Sequence, residues 1–93
     1  MRRFPLGHIV MTQGANEVIE AAGTDGRLLA LGFLFRHQNG DWGEVSDDDK
    51  ESNDEAVENG DRLLSAYILH RVKLWIITDA DRSVTTILLP DEY

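Results

Sequence analysis

Two hydrophobic rhythms divide this chain. After a short β-prone run, His8–Thr12, closed by Gln13-Gly14, the apolar residues Ala15, Val18, Ile19 and Ala22 fall at i, i+3, i+4 and i+7. That is the spacing of one helical face. Gly23 supplies a left-handed stop, and Thr24 or Asp25 can cap a second helix running from Gly26 to about Gln38. Its apolar set, Leu28, Leu29, Leu31, Leu34 and Phe35, reaches nearly all round, which predicts the most buried helix of the fold. Gly32 lowers the helix propensity of that segment by about 1 kcal/mol and is expected to mark a close helix–strand contact. A buried strand over Leu28–Phe35 is the competing reading.

Asn39-Gly40-Asp41-Trp42-Gly43 reads as a loop with Trp42 as its one apolar residue. Ser46 followed by Asp47, Asp48 and Asp49 is an N-cap with acids in the first helical turn, where the helix dipole favours them. Asn59-Gly60 ends this third helix near Glu58, and with only Ala56 and Val57 as apolar content it must lie on the surface. The second rhythm belongs to the last third. Leu63–Leu69, Lys73–Thr78 and Ser83–Leu89 are rich in β-branched and aromatic residues, are joined by short polar turns, and end at Pro90. The predicted class is α+β: a short N-terminal strand and two or three helices packed on a C-terminal three-stranded antiparallel meander. Residues 1–93 read as a single domain, with no repeat and no linker.

Composition changes this picture mainly by exclusion. An apolar fraction of 42% and a charged fraction of 28% are ordinary for a globular domain. The absence of cysteine removes disulfides, thiolate zinc sites and cysteine nucleophiles. The longest apolar run, counting Gly32, is Leu28–Phe35, far short of the roughly 20 residues that span a bilayer. Gly7-His8 interrupts the charged start Met1–Leu6 before any apolar stretch of secretory length, so a cytoplasmic chain without a signal peptide is expected.

Charge adds more. Ten acids and one lysine lie between Asp41 and Asp61, a net of −9, whereas the rest of the chain carries +1. No basic cluster exists that would follow a nucleic-acid backbone, so direct nucleic-acid binding is not expected. The acidic segment lacks the alternating ligands and glycine turn of a calcium loop. Asp79-Ala80-Asp81-Arg82-Ser83 has Val84 where that glycine belongs, so neither metal nor cofactor is expected. His37 with Arg62, Arg82 and Thr85, the last from a wider set of candidate hydroxyls that includes Ser65, Tyr67 and Thr86, offers the histidine, cation and hydroxyl set of compact ribonucleases of the barnase and RelE type. No spacing motif singles those four residues out. Trp42, between two glycines in an acidic loop, is the better of the two tryptophans as a partner anchor.

Arg36–Gly43, Arg62–Tyr67 and Leu74–Tyr93, with Phe4-Pro5-Leu6-Gly7, resemble a family of short bacterial proteins carried on plasmids and integrative elements. The likeness covers nearly the whole chain. Members carry labels such as "plasmid-related protein" or "type I restriction endonuclease subunit M". The second label implies an amino-methyltransferase, whose Asn-Pro-Pro-aromatic loop is missing here, since Pro5 and Pro90 are the only prolines. The resemblance implies a place on mobile DNA and no catalytic residue. The resulting expectation is a non-enzymatic interaction protein that engages a basic, DNA-handling partner. Its acidic face comprises Asp41, Trp42, Glu44, Asp47, Asp48, Asp49, Glu51, Asp54, Glu55 and Glu58. The alternative is the small ribonuclease built on His37, Arg62, Arg82 and Thr85.

Overall fold

The C-terminal third folds as its alternation requires. In a computed structural model that describes residues 2–93, strands β2 (Leu63–Leu69), β3 (Val72–Thr78) and β4 (Val84–Leu88) form an antiparallel meander. Ser65 pairs with Ile76, which pairs with Ile87. The N-terminal strand, β1 (His8–Met11), joins this sheet parallel to β4, with Met11 opposite Ile87, giving the order β1-β4-β3-β2. Met1, where the charged start begins, lies outside the described residues.

The three helices are α1 (Gln13–Ala21), α2 (Gly23–Gln38) and α3 (Asp47–Asn59). Helix α1 starts where Thr12 accepts a hydrogen bond from the Ala15 amide at 3.3 Å. Glu92, in the closing 3-10 turn Pro90–Glu92, accepts from the Gly14 and Leu89 amides, both at 2.9 Å, and so ties the C-terminal tail to the start of α1. The expected cap at Thr24 or Asp25 is not used. Helix α2 follows α1 directly from Gly23, whose φ of 68° breaks the axis, and Ala22 occupies the cap position with no side-chain bond. Helix α3 has the expected boundaries: the Ser46 hydroxyl accepts from the Asp49 amide at 3.1 Å, and Gly60 closes it at φ 77°.

Two apolar clusters hold the layers together. Ala30, Phe33 and Leu34 of α2 pack with Ile19 of α1 onto Tyr67, Leu74, Ile76 and Ile87 of the sheet, and the Phe33 and Tyr67 rings stack at 4.9 Å. Phe4, Trp42, Ala56 and Leu63 form the second cluster, which anchors α3. Helix α2 is not the most buried helix. Leu28 and Phe35 stand on the side turned away from the sheet, Leu31 stands on the flank toward β1, and all three are exposed. Gly32 lies among them with nothing near the place of a Cβ, so it makes no close helix–strand contact. The sheet covers only one side of a helix that is apolar on both.

The outer edge of β2 is covered by the loop and by α3. The Ala66 amide donates to the Trp42 carbonyl at 3.1 Å and the Glu44 amide donates to Ala66 at 2.6 Å. The Asn53 side chain exchanges hydrogen bonds of 2.7 and 3.2 Å with the backbone of Leu64. Gly43, at φ 73°, lies so close to the Ala66 carbonyl and the Tyr67 ring that no Cβ fits. The other edge, β1, has no strand beside it among the described residues, and all four of its residues are exposed. No helix among the described residues is long and apolar enough to cross a membrane.

The β2–β3 turn places non-glycine residues in left-handed backbone. His70 has φ 46° and Arg71 φ 73° between the paired residues Leu69 and Val72. This two-residue turn has the positive φ at both positions that favours Asn-Gly, because each side chain pays a steric cost there. The double replacement His70→Asn, Arg71→Gly should therefore stabilise the fold by about 1 kcal/mol. It is read as a raised urea midpoint; an unchanged or lowered midpoint would contradict the strain argument.

Candidate functional site

His37 belongs to a chain of buried polar groups. It falls on the inward face of α2 at i+3 and i+4 from Leu34 and Phe33, and it is 0% exposed. Thr85 Oγ1 donates to the Leu6 carbonyl at 2.7 Å. With that proton committed, Thr78 Oγ1 donates to Thr85 at 2.8 Å and must accept from His37 Nε2–H, also at 2.8 Å. His37 Nδ1 is then the acceptor, and Ser65 Oγ donates to it at 2.5 Å. A terminal carbonyl thus sets the direction of the whole chain and the imidazole tautomer. Burial, with a smaller contribution from the positive charge of Arg82, pushes the His37 pKa down to about 3. The imidazole is held neutral.

Of the four residues in the ribonuclease set, His37 and Thr85 are brought together through Thr78, but both are 0% exposed. A phosphodiester has no approach to them in this structure. The Arg82 guanidinium donates to the carbonyls of Asp61 at 2.7 Å and Ala56 at 3.0 Å, fastening the end of α3, and lies over the Phe4 ring. Arg62 lies over the ring of Tyr93, 5.0 Å from its centre, on the opposite face of the sheet from His37. The four form no common cleft. Ser65 was among the expected hydroxyls and Thr78 was not. The signal for Thr78 was a hydroxyl at an inward position of an alternating strand, beside Leu74 and Ile76.

Trp42 is a core residue rather than a partner anchor. It is 3% exposed, its ring stacks on Phe4 at 6.1 Å and meets the His37 ring edge-on at 5.7 Å. Its indole N–H donates to Asp54 Oδ1 at 3.0 Å, and the same oxygen accepts from Arg3 at 2.9 Å. These bonds hold the Asp54 carboxyl below its ordinary pKa and give it a structural role. Asp41 is similarly engaged: Arg36 donates to both its oxygens, at 2.7 and 3.3 Å, and lowers its pKa. Glu44 is exposed in the loop, and Asp49 sits in the first turn of α3 over the Ser46 cap.

The remaining acids of α3 share one surface with Asp54. With Asn53 and Ala56 turned inward, the helical period brings Asp47, Glu51, Asp54 and Glu58 into line at i, i+4, i+7 and i+11, with Asp48 and Glu55 beside them. Without Asp54, which is paired with Arg3, five carboxylates span about 16 Å of axis, or about one charge per 3 Å, close to the charge spacing along a single DNA strand. Asp48, Glu51, Glu55 and Glu58 make no ion pair among the described residues, and Lys50 reaches Asp47 only at 3.9 Å. These side chains diverge into solvent, and no group of three or more metal-binding side chains converges among the described residues. Compared with protein-family models, curated proteins and solved structures, the chain matches none of them.

Proposed function

We propose that the protein is a non-catalytic binding module of mobile DNA elements. It would engage a basic, DNA-handling protein through the solvent face of α3. The observation that supports this is the stripe of carboxylates at the charge spacing of a nucleic-acid strand, carried on a helix whose other side is anchored through Asn53 and Ala56. A basic groove built for phosphates meets on this face a rigid row of anions of comparable linear density. The working residues are Asp47, Asp48, Glu51, Glu55 and Glu58. Trp42 leaves the set because it is buried, and Asp41 and Asp54 serve the fold.

Reversing Asp48, Glu51, Glu55 and Glu58 to lysine spares every contact that anchors α3. Wild-type protein, incubated with host lysate at about 150 mM salt, should retain basic nucleic-acid-binding proteins that added duplex DNA releases. The lysine variant should keep its circular dichroism spectrum and lose them. Capture of the same proteins by both would end the acidic-face reading.

A further inference from the structure

We propose that the protein pairs with a second copy of itself through a two-fold interface. The Leu28–Leu31–Phe35 ridge of α2 in each copy fills the apolar groove between α2 and β1 of the other. The ridge is convex and unpartnered: its three side chains are 61%, 62% and 66% exposed at i, i+3 and i+7 of one helix. The groove is concave, about 300 Å³ in volume, and lined by Ile9, Met11, Ile19, Ala30, Leu34 and Ile87. It lies where α2 sits toward the β2 side of the sheet, with Phe33 on Tyr67, and leaves the β1 edge exposed. The fold therefore holds a knob and a hole of the same chemistry side by side.

Several observations make a second copy the occupant. Leu31 belongs to both ridge and groove, so a two-fold axis near it inserts each ridge into the other's groove at once, the self-complementary arrangement of an isologous contact. The exposed apolar surface of ridge and groove is roughly 600 Å² per copy, at about 200 Å² for a full large side chain. Two copies that covered all of it would bury about 1,200 Å², the lower bound for a stable specific interface.

Charge agrees. His8–Gln38 carries Glu17, Glu20 and Asp25 against Arg27 and Arg36, so the two surfaces are nearly neutral where they meet. The groove rim holds Glu20 and Arg27 at 3.2 Å, a pair that meets its own copy without net repulsion. The acidic α3 packs at the opposite edge of the sheet, beside β2, so the pair would carry its two acidic faces outward and apart.

Sedimentation equilibrium of the whole chain between about 5 and 500 µM tests this, with an expected dissociation constant on the order of micromolar. The wild type should reach twice the 10.5 kDa chain mass. Leu31→Asp and Phe35→Asp, exposed in the single chain, should keep the wild-type circular dichroism spectrum and sediment as monomers. A wild-type chain that stays at 10.5 kDa throughout would overturn the proposal. So would a dimer that survives both aspartate variants, because association would then run through the β1 edge or another surface.

Discussion

Replacing Trp42 with alanine should cost about 3–5 kcal/mol, a large part of the stability of a domain this size. The indole packs against both Phe4 and His37, which also touch each other, so truncation leaves a cavity in the smaller of the two apolar clusters. It also strips Asp54 of one of its two donors and loosens the loop that closes the edge of β2 through Ala66. Trp42→Phe keeps most of the packing and should cost much less. Urea unfolding of the two variants beside Glu55→Ala separates the effects, since the exposed glutamate should change stability by less than about 0.5 kcal/mol. A wild-type midpoint for Trp42→Ala would mean that the loop does not depend on its anchor.

Stability should fall steadily as pH is lowered from neutrality, and His37 should be the cause. Its folded pKa, about 3, lies below the ordinary value of 6.5, so the folded state prefers the neutral imidazole. The unfolded chain binds the proton first. The contribution of His37 is therefore fully present above about pH 6.5 and is lost as pH falls toward 3, at about 1.4 kcal/mol per pH unit. The total loss by pH 3 is about 4 kcal/mol. Asp41, Asp54, Asp81 and Glu92, whose folded pKa values are also lowered, add loss of the same sign only in the carboxylate range. The interval from pH 6.5 to about 5 thus isolates the histidine. His37→Gln, which can still bond Ser65 and Thr78, should flatten the slope there. An equal slope in both proteins would assign it to other groups.

The buried chain through His37 was partly readable. Ala30, Phe33, Leu34 and His37 share one helical face, and Ser65, Thr78 and Thr85 take inward positions in three alternating strands. Each residue alone reads as a chemical group in search of a substrate. Only their convergence shows that they satisfy one another and that Leu6 accepts the last proton. The acidic face was more legible, because a helical period and a run of carboxylates determine which side chains share a side. Asp41 and Asp54 differ from their neighbours only through Arg36, Arg3 and Trp42, and Arg3 is 51 residues from Asp54.

Local patterns settled the helices at Ala15–Ala22 and Asp47–Asn59, the three C-terminal strands, their antiparallel order and the clustering of negative charge. Each depends on residues within a few positions of one another: a period of 2 or 3.6, a Ser46 cap, a Gly60 stop, a short turn. The tertiary structure alone decided that β1 lies parallel to β4 across more than 70 residues of chain. It also decided that Trp42 turns inward and that α2 keeps half of its apolar surface in solvent. The pattern of α2 states how much of a helix is apolar, and burial depends on how many layers arrive to cover it. Here one sheet arrives, and it covers one side.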